Sequence, residues 1–304
     1  MFIIKYRKIF IAVSSVLLAA SIALIAIFGL KFGIEFRGGT QAEISYTGTR
    51  PEAEVLSDSI DKLEFGEVLI QPVGETDYSI KTRDLTETEH QALLKAVTVD
   101  GKYVSTEKSY TSIGPSIGKE LKSKAITAII LVMAAIILFI AYAFRKVSRP
   151  VSSWRYGLIA IVTLLHDIAI PTGAFALISH FTGMEIDSLF IVALLTVLGL
   201  SVSDTIVVFD RIRENIRKLG SGDFAETVGQ SLSQTFARSI NTSLTVILVL
   251  LALFFFGPES TRTFSLVLTV GLFFGTYSSI FLASPLLVTI EKMQAKNSGK
   301  KKKK

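Results

Sequence analysis

Six long runs of apolar residues constrain this chain more than any other feature of its sequence. Crossing a hydrocarbon core of about 30 Å takes about 20 helical residues. The runs are Ile9–Leu30, Ala125–Phe144, Gly157–Ile178, Leu189–Phe209, Leu244–Phe256 and Phe264–Ile290. The fifth is short, and we expect its helix to begin earlier, near Ala237. The sequence therefore predicts a membrane α-helical bundle of six transmembrane helices.

Basic residues in the short loops predict the orientation of these helices. Lysines and arginines fill the loops at 145–155 and 211–218, whereas the loop at 179–188 has none. Positive loops stay on the cytoplasmic side, so we expect a multi-pass protein of the cell (inner) membrane with both termini cytoplasmic. The first run, Ile9–Leu30, is longer than the apolar core of a signal peptide and is interpreted as an anchor. Residues 1–30 thus comprise a cytoplasmic N-terminus and the first transmembrane helix. Residues 293–304 form a basic cytoplasmic tail.

The polar segment 31–124 is predicted to be an extracytoplasmic α+β domain. Alternating residues indicate strands at Thr40–Tyr46, Glu67–Val73, Asp77–Arg83 and Tyr103–Tyr110, and helical spacing indicates helices at Pro51–Phe65 and Thr86–Val97. Thr86 and Glu89 form a capping box at the second helix. The resulting order, βαββαβ, is that of the ferredoxin-like, or split βαβ, arrangement.

The five-helix region 125–292 contains a predicted cytoplasmic amphipathic linker at 211–237. We expect a break at Gly220–Gly222 and a new helix capped by Asp223 and Glu226. Its apolar face either lies on the membrane or a partner, or packs on the bundle. Trp154 and Tyr156 are predicted to lie among the lipid headgroups.

Asp204 is the principal candidate functional residue, because it lies inside the fourth apolar run. An ionised carboxylate there costs about 2.5–3.5 kcal/mol on the lenient insertion scale. Arg238, near the start of the fifth span, is a candidate partner that pairs with Asp204 in one conformation and releases it in another. The alternatives are a structural carboxylate satisfied by hydroxyls and an arginine that reaches to water.

His166 and Asp167 fall in the middle of the third run and are candidate auxiliary proton-transfer residues. Adjacent helical residues point about 100° apart, so we expect the two side chains to serve different neighbours. A structural role between helices is the alternative. Gly271, Gly275 and the small residues that follow at the same spacing predict close packing, against another span or a neighbouring subunit.

The sequence excludes several kinds of chemistry. It contains no cysteine and only three histidines, which argues against a thiolate or histidine-rich metal site. It has no P-loop and no nucleophile elbow. We therefore expect no cofactor, no metal and no ATPase activity of its own. The net charge of +6 is concentrated beside apolar runs and at the C-terminus, which indicates orientation in a membrane rather than nucleic-acid binding.

Five segments together carry a resemblance that covers nearly the whole chain. They are Gly33–Gly39, Ile113–Gly118, Leu165–Asp167, Ser203–Asn215 and Ser233–Ser239. These segments resemble the SecF family of bacterial export proteins. Within the first, Glu35, Gly38 and Gly39 correspond to the family loop motif, with Glu35 where an aspartate is expected.

The resemblance implies a subunit that pairs with SecD in an assembly of the resistance-nodulation-division type beside the SecYEG channel, and possible contact with YajC. It implies use of the proton motive force, with Asp204 and Arg238 in the proton pathway, and an unfolded preprotein as client in a lipid membrane. Three alternatives stay open: a half-transporter of that superfamily exporting a lipid or small molecule, a passive assembly subunit, and a membrane enzyme using His166 and Asp167.

Overall fold

Regular secondary structure follows the hydropathy of the sequence in this computed structural model, which describes residues 2–144, 153–219 and 223–301. The helices are α1 (Phe2–Lys5), α2 (Arg7–Phe28), α3 (Ile34–Arg37), α4 (Ala53–Asp61), α5 (Glu87–Ala96), α6 (Pro115–Ala143), α7 (Ser153–Thr182), α8 (Ser188–Leu219), α9 (Phe224–Phe256), α10 (Arg262–Ser278) and α11 (Ser284–Lys301). The strands are β1 (Gly39–Tyr46), β2 (Leu69–Val73), β3 (Asp77–Thr82) and β4 (Ser105–Ile113). A 3₁₀ turn (Glu259–Thr261) precedes α10, and a π-helical turn (Ser279–Ala283) joins α10 to α11.

Residue contacts divide the chain into a membrane unit, Met1–Lys31 with Thr127–Lys304, and an α+β unit, Phe32–Ile126. Six helical segments of the described residues are long and apolar enough to cross a bilayer. They are named span 1 (α2), span 2 (α6), span 3 (α7), span 4 (α8), span 5 (α9) and span 6 (α10, the π turn and α11). The predicted six-helix bundle is confirmed.

The α+β unit is built on a four-stranded antiparallel sheet in the order β2-β3-β1-β4. β1 pairs with both β3 and β4, so the chain order β1-α4-β2-β3-α5-β4 gives the predicted ferredoxin-like arrangement. The capping box of Thr86 and Glu89 at the start of α5 is also confirmed. β4 continues to Ile113 because its pairing with β1 extends to Gly39.

The core of the α+β unit lies between the sheet and its two helices. Ile44 and Ile80 of the sheet, Leu56 and Ile60 of α4, and Leu93 of α5 are all fully buried. Burying each such side chain stabilises the fold by about 1.5–3 kcal/mol. These are the apolar positions that the alternation and helical spacing of the sequence place on the inner faces.

Spans 3, 4 and 6 form the centre of the membrane unit, because they are the most buried of the six. Span 1 packs mainly along span 3. Spans 1, 2 and 5 turn most of their apolar surface outward, as expected of helices that face lipid or another membrane protein.

The predicted linker at 211–237 is not a separate element. Residues 211–219 continue α8, and residues 224–237 begin α9, which runs on without interruption as span 5. The predicted break at Gly220–Gly222 lies outside the described residues. Phe224, Val228 and Leu232 are buried in the hydrophobic core of the membrane unit, which favours packing on the bundle over membrane binding.

Two local predictions are corrected. Asp223 does cap α9, accepting a hydrogen bond from the Ala225 amide, but the described contacts include no reciprocal bond from Glu226. Tyr156 is fully buried rather than interfacial, since its ring stacks on Phe144 at 5.3 Å. Trp154, in contrast, is 69% exposed, as an interfacial residue should be.

Candidate functional site

A cluster of polar side chains lies among spans 3, 4, 5 and 6. This central polar cluster comprises His166, Asp167, Ser201, Asp204, Thr205, Ser239, Ser243, Thr276, Ser278 and Ser279. All of these residues are buried except Asp204, which is half-buried. Polar groups inside a membrane bundle are costly unless they find partners, so the contacts within the cluster decide what it can do.

Close approach of spans 4 and 6 brings the cluster together. A β-carbon on Gly271 would lie 2.2 Å from Cγ2 of Val197, and one on Gly275 would lie 3.0 Å from Cβ of Ser201. The small-residue stripe therefore faces span 4 of the same chain and not a neighbouring subunit. Without side chains at these two glycines, the helices approach closely enough for their hydroxyls to meet.

Asp204 lies on span 4 among hydroxyl groups of spans 5 and 6. Thr276 Oγ1 donates to Oδ2 of the carboxylate at 3.4 Å, and Ser239 and Ser243 lie beside it. Ser243 and Thr276 are themselves 2.5 Å apart, which ties spans 5 and 6 together next to the carboxylate. The neighbours of the Asp204 carboxylate on spans 5 and 6 are thus uncharged hydroxyl groups.

Arg238 lies on span 5 with an exposed side chain. It interacts with Asp204 electrostatically, but the ion pairs found among the described residues do not include one between these two side chains. The predicted pairing is therefore not made in this conformation. The hydroxyl partners that the sequence analysis gave as the alternative for Asp204 are the ones found here, and they come from spans 5 and 6.

His166 and Asp167 contact each other, contrary to the expectation that they serve different neighbours. Nδ1 of the imidazole lies 2.9 Å from Oδ1 of the carboxylate, and both side chains are fully buried. Asp167 Oδ2 also accepts a short hydrogen bond from Ser201 and lies 2.9 Å from Ser278 Oγ. Span 3 is thereby bonded to spans 4 and 6 through one carboxylate.

Spans 4 and 6 take part in both carboxylate sites, that of Asp167 and that of Asp204. Ser201 and Asp204 lie three residues apart on span 4, and Thr205 Oγ1 lies 2.8 Å from Ser279 Oγ on span 6. Ser279 opens the π-helical turn, and its hydroxyl also lies 3.3 Å from the Ser201 carbonyl oxygen. Single π turns in α-helices occur frequently at functional sites.

Gly38 and Gly39 allow close backbone packing within the α+β unit. Gly33 precedes the one-turn helix α3, which the sequence did not predict, and Gly38 ends it with φ +83°. A β-carbon on Gly38 would lie 2.7 Å from the Pro115 Cα, and one on Gly39 would lie 2.7 Å from the Thr82 carbonyl oxygen. The paired glycines let β1 begin directly against β3 and the start of α6.

Among the described residues, no three or more His, Asp or Glu side chains are grouped so that they could hold a metal ion.

Sequence reasoning missed the serines and threonines of the cluster. Single hydroxyl residues are common in membrane helices, where they bond to their own backbone, so type alone does not distinguish Ser201 from an ordinary position. The available signal was their spacing relative to acidic residues. Ser201 precedes Asp204 by one helical turn, and Thr276, Ser278 and Ser279 follow one another on a helix whose glycines predict close packing.

Comparisons with known proteins agree with this architecture. Residues 93–293 match the family model described as protein export membrane protein SecD/SecF, C-terminal, and residues 23–49 match the SecD/SecF GG motif. The protein translocase subunit SecF of Thermobaculum terrenum is 39% identical over 302 residues, which cover 95% of this chain and 93% of the relative. The subunit of the same name from Haemophilus influenzae is 35% identical, covering 92% of this chain and 82% of the relative.

The fold is similar to that of a solved structure. The crystal structure of SecDF, a translocon-associated membrane protein from Thermus thermophilus, has a TM-score of 0.81 and 32% sequence identity over 95% of this chain. The match covers only 38% of the SecDF chain, which is therefore much longer. The family model, the close relatives and the fold agree, and this chain belongs to the SecD/SecF family of protein-export membrane proteins.

Proposed function

We propose that this chain is the SecF subunit of the accessory complex of the Sec preprotein translocase, and that it works with SecD to promote late steps of export through SecYEG. Relatives that match nearly the whole chain carry the name of this subunit. Because the chain corresponds to 38% of SecDF, a SecD partner would supply the rest of that assembly. YajC is a further candidate partner, and an unfolded preprotein is the client.

The proposed topology follows from the loop charges. Both termini and the loop at 145–155 lie in the cytoplasm, the protein spans the cell (inner) membrane, and the α+β unit lies outside, where it handles the emerging preprotein. The chain has no ATPase of its own and takes its energy from the proton motive force. One elementary charge crossing 100 mV releases about 2.3 kcal/mol. The half-transporter alternative is not favoured, because the close relatives are translocase subunits.

The half-buried carboxylate of Asp204 is the single observation that carries the proton-coupled mechanism. It lies within span 4 and has hydroxyl neighbours but no ion pair with Arg238 in this conformation. In the proposed cycle, an ionised Asp204 draws the Arg238 guanidinium to itself, and protonation releases it. Thr276 of span 6 and Ser243 of span 5 hydrogen-bond to each other beside this carboxylate. Movement of Arg238 toward Asp204 or away from it therefore changes how spans 4, 5 and 6 pack.

The test is gradient-dependent export by vesicles that contain the complete complex. Late-stage export of a preprotein is measured with and without a proton gradient for the parent chain, Asp204→Asn and Asp204→Glu. We expect Asn to remove the gradient-dependent part and Glu, which keeps a titratable carboxyl, to retain a measurable share. Co-purification with SecD checks assembly of each variant. Full gradient-dependent export by an assembled Asp204→Asn complex would exclude this residue from the proton path.

A further inference from the structure

We propose that His166 is a second proton-binding group of the membrane unit, and that Asp167 is the positioning residue that keeps its Nε2 ready to accept a proton. The inference rests on the proposed proton-coupled function and adds a site to it. Its basis is the contacts, burial and charge of the His166–Asp167 pair.

Asp167 has polar partners that can solvate an ionised carboxylate. Three polar groups converge on it: His166 Nδ1 on Oδ1, and the hydroxyls of Ser201 and Ser278 on Oδ2. Each of these groups can donate a hydrogen bond, and an ionised carboxylate only accepts. In the proposal Asp167 is ionised, with its donors on spans 3, 4 and 6.

The proposed ionised Asp167 determines the tautomer of His166. An ionised Oδ1 only accepts, so Nδ1 carries the hydrogen and a neutral imidazole has its lone pair on Nε2. Nε2 is buried and has no hydrogen-bond partner in the described part of the chain. His166 thus presents one unoccupied basic atom inside the bundle, 1% exposed as a side chain.

Proton binding at Nε2 of His166 removes the net charge of the buried His166–Asp167 pair. A neutral His166 beside an ionised Asp167 leaves one net negative charge in a region excluded from water, which is costly. A proton on Nε2 converts the pair to an imidazolium–carboxylate pair with no net charge. No bond to carbon changes in this step, since the proton arrives at Nε2 and leaves from it.

Few other titratable groups face the imidazole. Tyr277 of span 6 lies alongside it, with ring centroids 6.3 Å apart and an interplanar angle of 18°, and its buried hydroxyl also has no partner among the described residues. Span 1, which packs along span 3, has no ionisable residue between Ile9 and Phe28. Span 4 contributes Ser201 to Asp167, and its own carboxylate, Asp204, bonds to Thr276 instead.

Two substitutions separate proton binding from a merely structural role. His166→Asn keeps a donor at the position of Nδ1 and removes Nε2, so it preserves the bond to Asp167 but cannot bind the proton. His166→Gln places its amide near Nε2 and loses the donor at Nδ1. In vesicles with the complete complex, we expect His166→Asn to assemble with SecD but to lose most of the gradient-dependent export and to flatten its pH profile, and we expect Gln not to restore either.

The outcomes are distinct from those for the proposed function. If assembled His166→Asn keeps the parent's gradient-dependent export and pH profile, while Asp204→Asn loses export, this inference fails and the proposed function stands. If Asp204→Asn keeps full export, the proposed function itself fails. If no His166 variant assembles, the ¹⁵N shift of Nε2 in the parent complex decides the question. Conversion of Nε2 from lone pair to N–H as the pH is lowered supports the site, and an unchanged shift overturns it.

Discussion

Gly173 of span 3 and Ser21 of span 1 meet backbone to backbone. A β-carbon placed on Gly173 would lie 2.6 Å from the Ser21 Cα and 2.7 Å from its carbonyl oxygen. Span 1 is otherwise mostly exposed within the chain. Because packing of small residues is a main source of helix association in membranes, this contact holds span 1 to the centre of the membrane unit.

Gly173→Ala should therefore destabilise the membrane unit by about 1–3 kcal/mol, the usual cost of overpacking. Gly157→Ala on the same helix is the matched control, because nothing lies within 4 Å of its added methyl group. Helix propensity alone favours alanine at both positions by about 0.5–1 kcal/mol, so the two variants should differ in sign. Thermal unfolding in detergent micelles measures the difference; equal stability of both variants would refute the close contact.

Gly39→Ala should lower the stability of the α+β unit more than Gly48→Ala does. Both glycines have positive φ, +135° and +92°, so both substitutions strain the backbone. Only Gly39 also faces a backbone atom, the Thr82 carbonyl oxygen at 2.7 Å, whereas Gly48 faces open space. We expect an additional loss of about 1–3 kcal/mol at Gly39. Hydrogen exchange of the amides of residues 69–113 in the full chain measures this additional loss. Equal protection in both variants would show that the close contact with the Thr82 carbonyl oxygen does not affect stability.

The elements of the α+β unit were predictable from sequence because each carries its own local signal. Alternation identifies β1, the spacing of Leu56 and Ile60 identifies α4, and the Thr86 capping box identifies the start of α5. Features that depend on tertiary contacts were not predictable. Packing between segments distant in sequence produces the short helix α3, the burial of Tyr156 and the π-helical turn. Local sequence patterns do not predict such contacts.

The candidate site was predictable in part for the same reason. Asp204 stands out in an apolar run, so hydropathy alone identifies it. The contact between His166 and Asp167 was missed because the expectation used only the 100° angle between the Cα–Cβ bonds of adjacent helical residues. The imidazole is long enough to turn toward the next side chain despite that angle. The hydroxyls of Ser201 and Thr276 become informative only when spans 4 and 6 are brought together.

Thr86→Ala should destabilise the α+β unit by about 1 kcal/mol, the typical value of an N-cap. The Thr86 side chain accepts from the Glu89 amide, and the Glu89 carboxylate accepts from the Thr86 amide at 2.8 Å. Thr88→Ala is the control, since Thr88 is exposed in the first turn of the same helix and does not cap it. Denaturant unfolding of the full chain compares the two. A loss at Thr88 as large as that at Thr86 would mean that the cap contributes little.

Asp77 should make the stability of the α+β unit depend on pH. Its hydrogen bond with Lys108, 2.5 Å long, lowers the pKa of the carboxyl below the ordinary value of 3.8, with further hydrogen bonds from Ser45 and Thr76. Since the folded pKa is depressed, the stabilisation is complete above about pH 4 and is lost as the pH falls through the folded value.

Asp77→Asn should therefore lower the melting temperature at pH 7 but flatten its decline between about pH 5 and pH 3. The exposed helix residue Asp58 provides the control, Asp58→Asn, because no bond in the sheet depends on it. Lys108→Met, which removes the cation and keeps the carboxyl, should also flatten this decline, since the folded pKa of Asp77 then loses its main depressing contact and moves toward the unfolded value. An equally steep decline in the Lys108→Met chain and in the parent would show that the ion pair does not set this dependence.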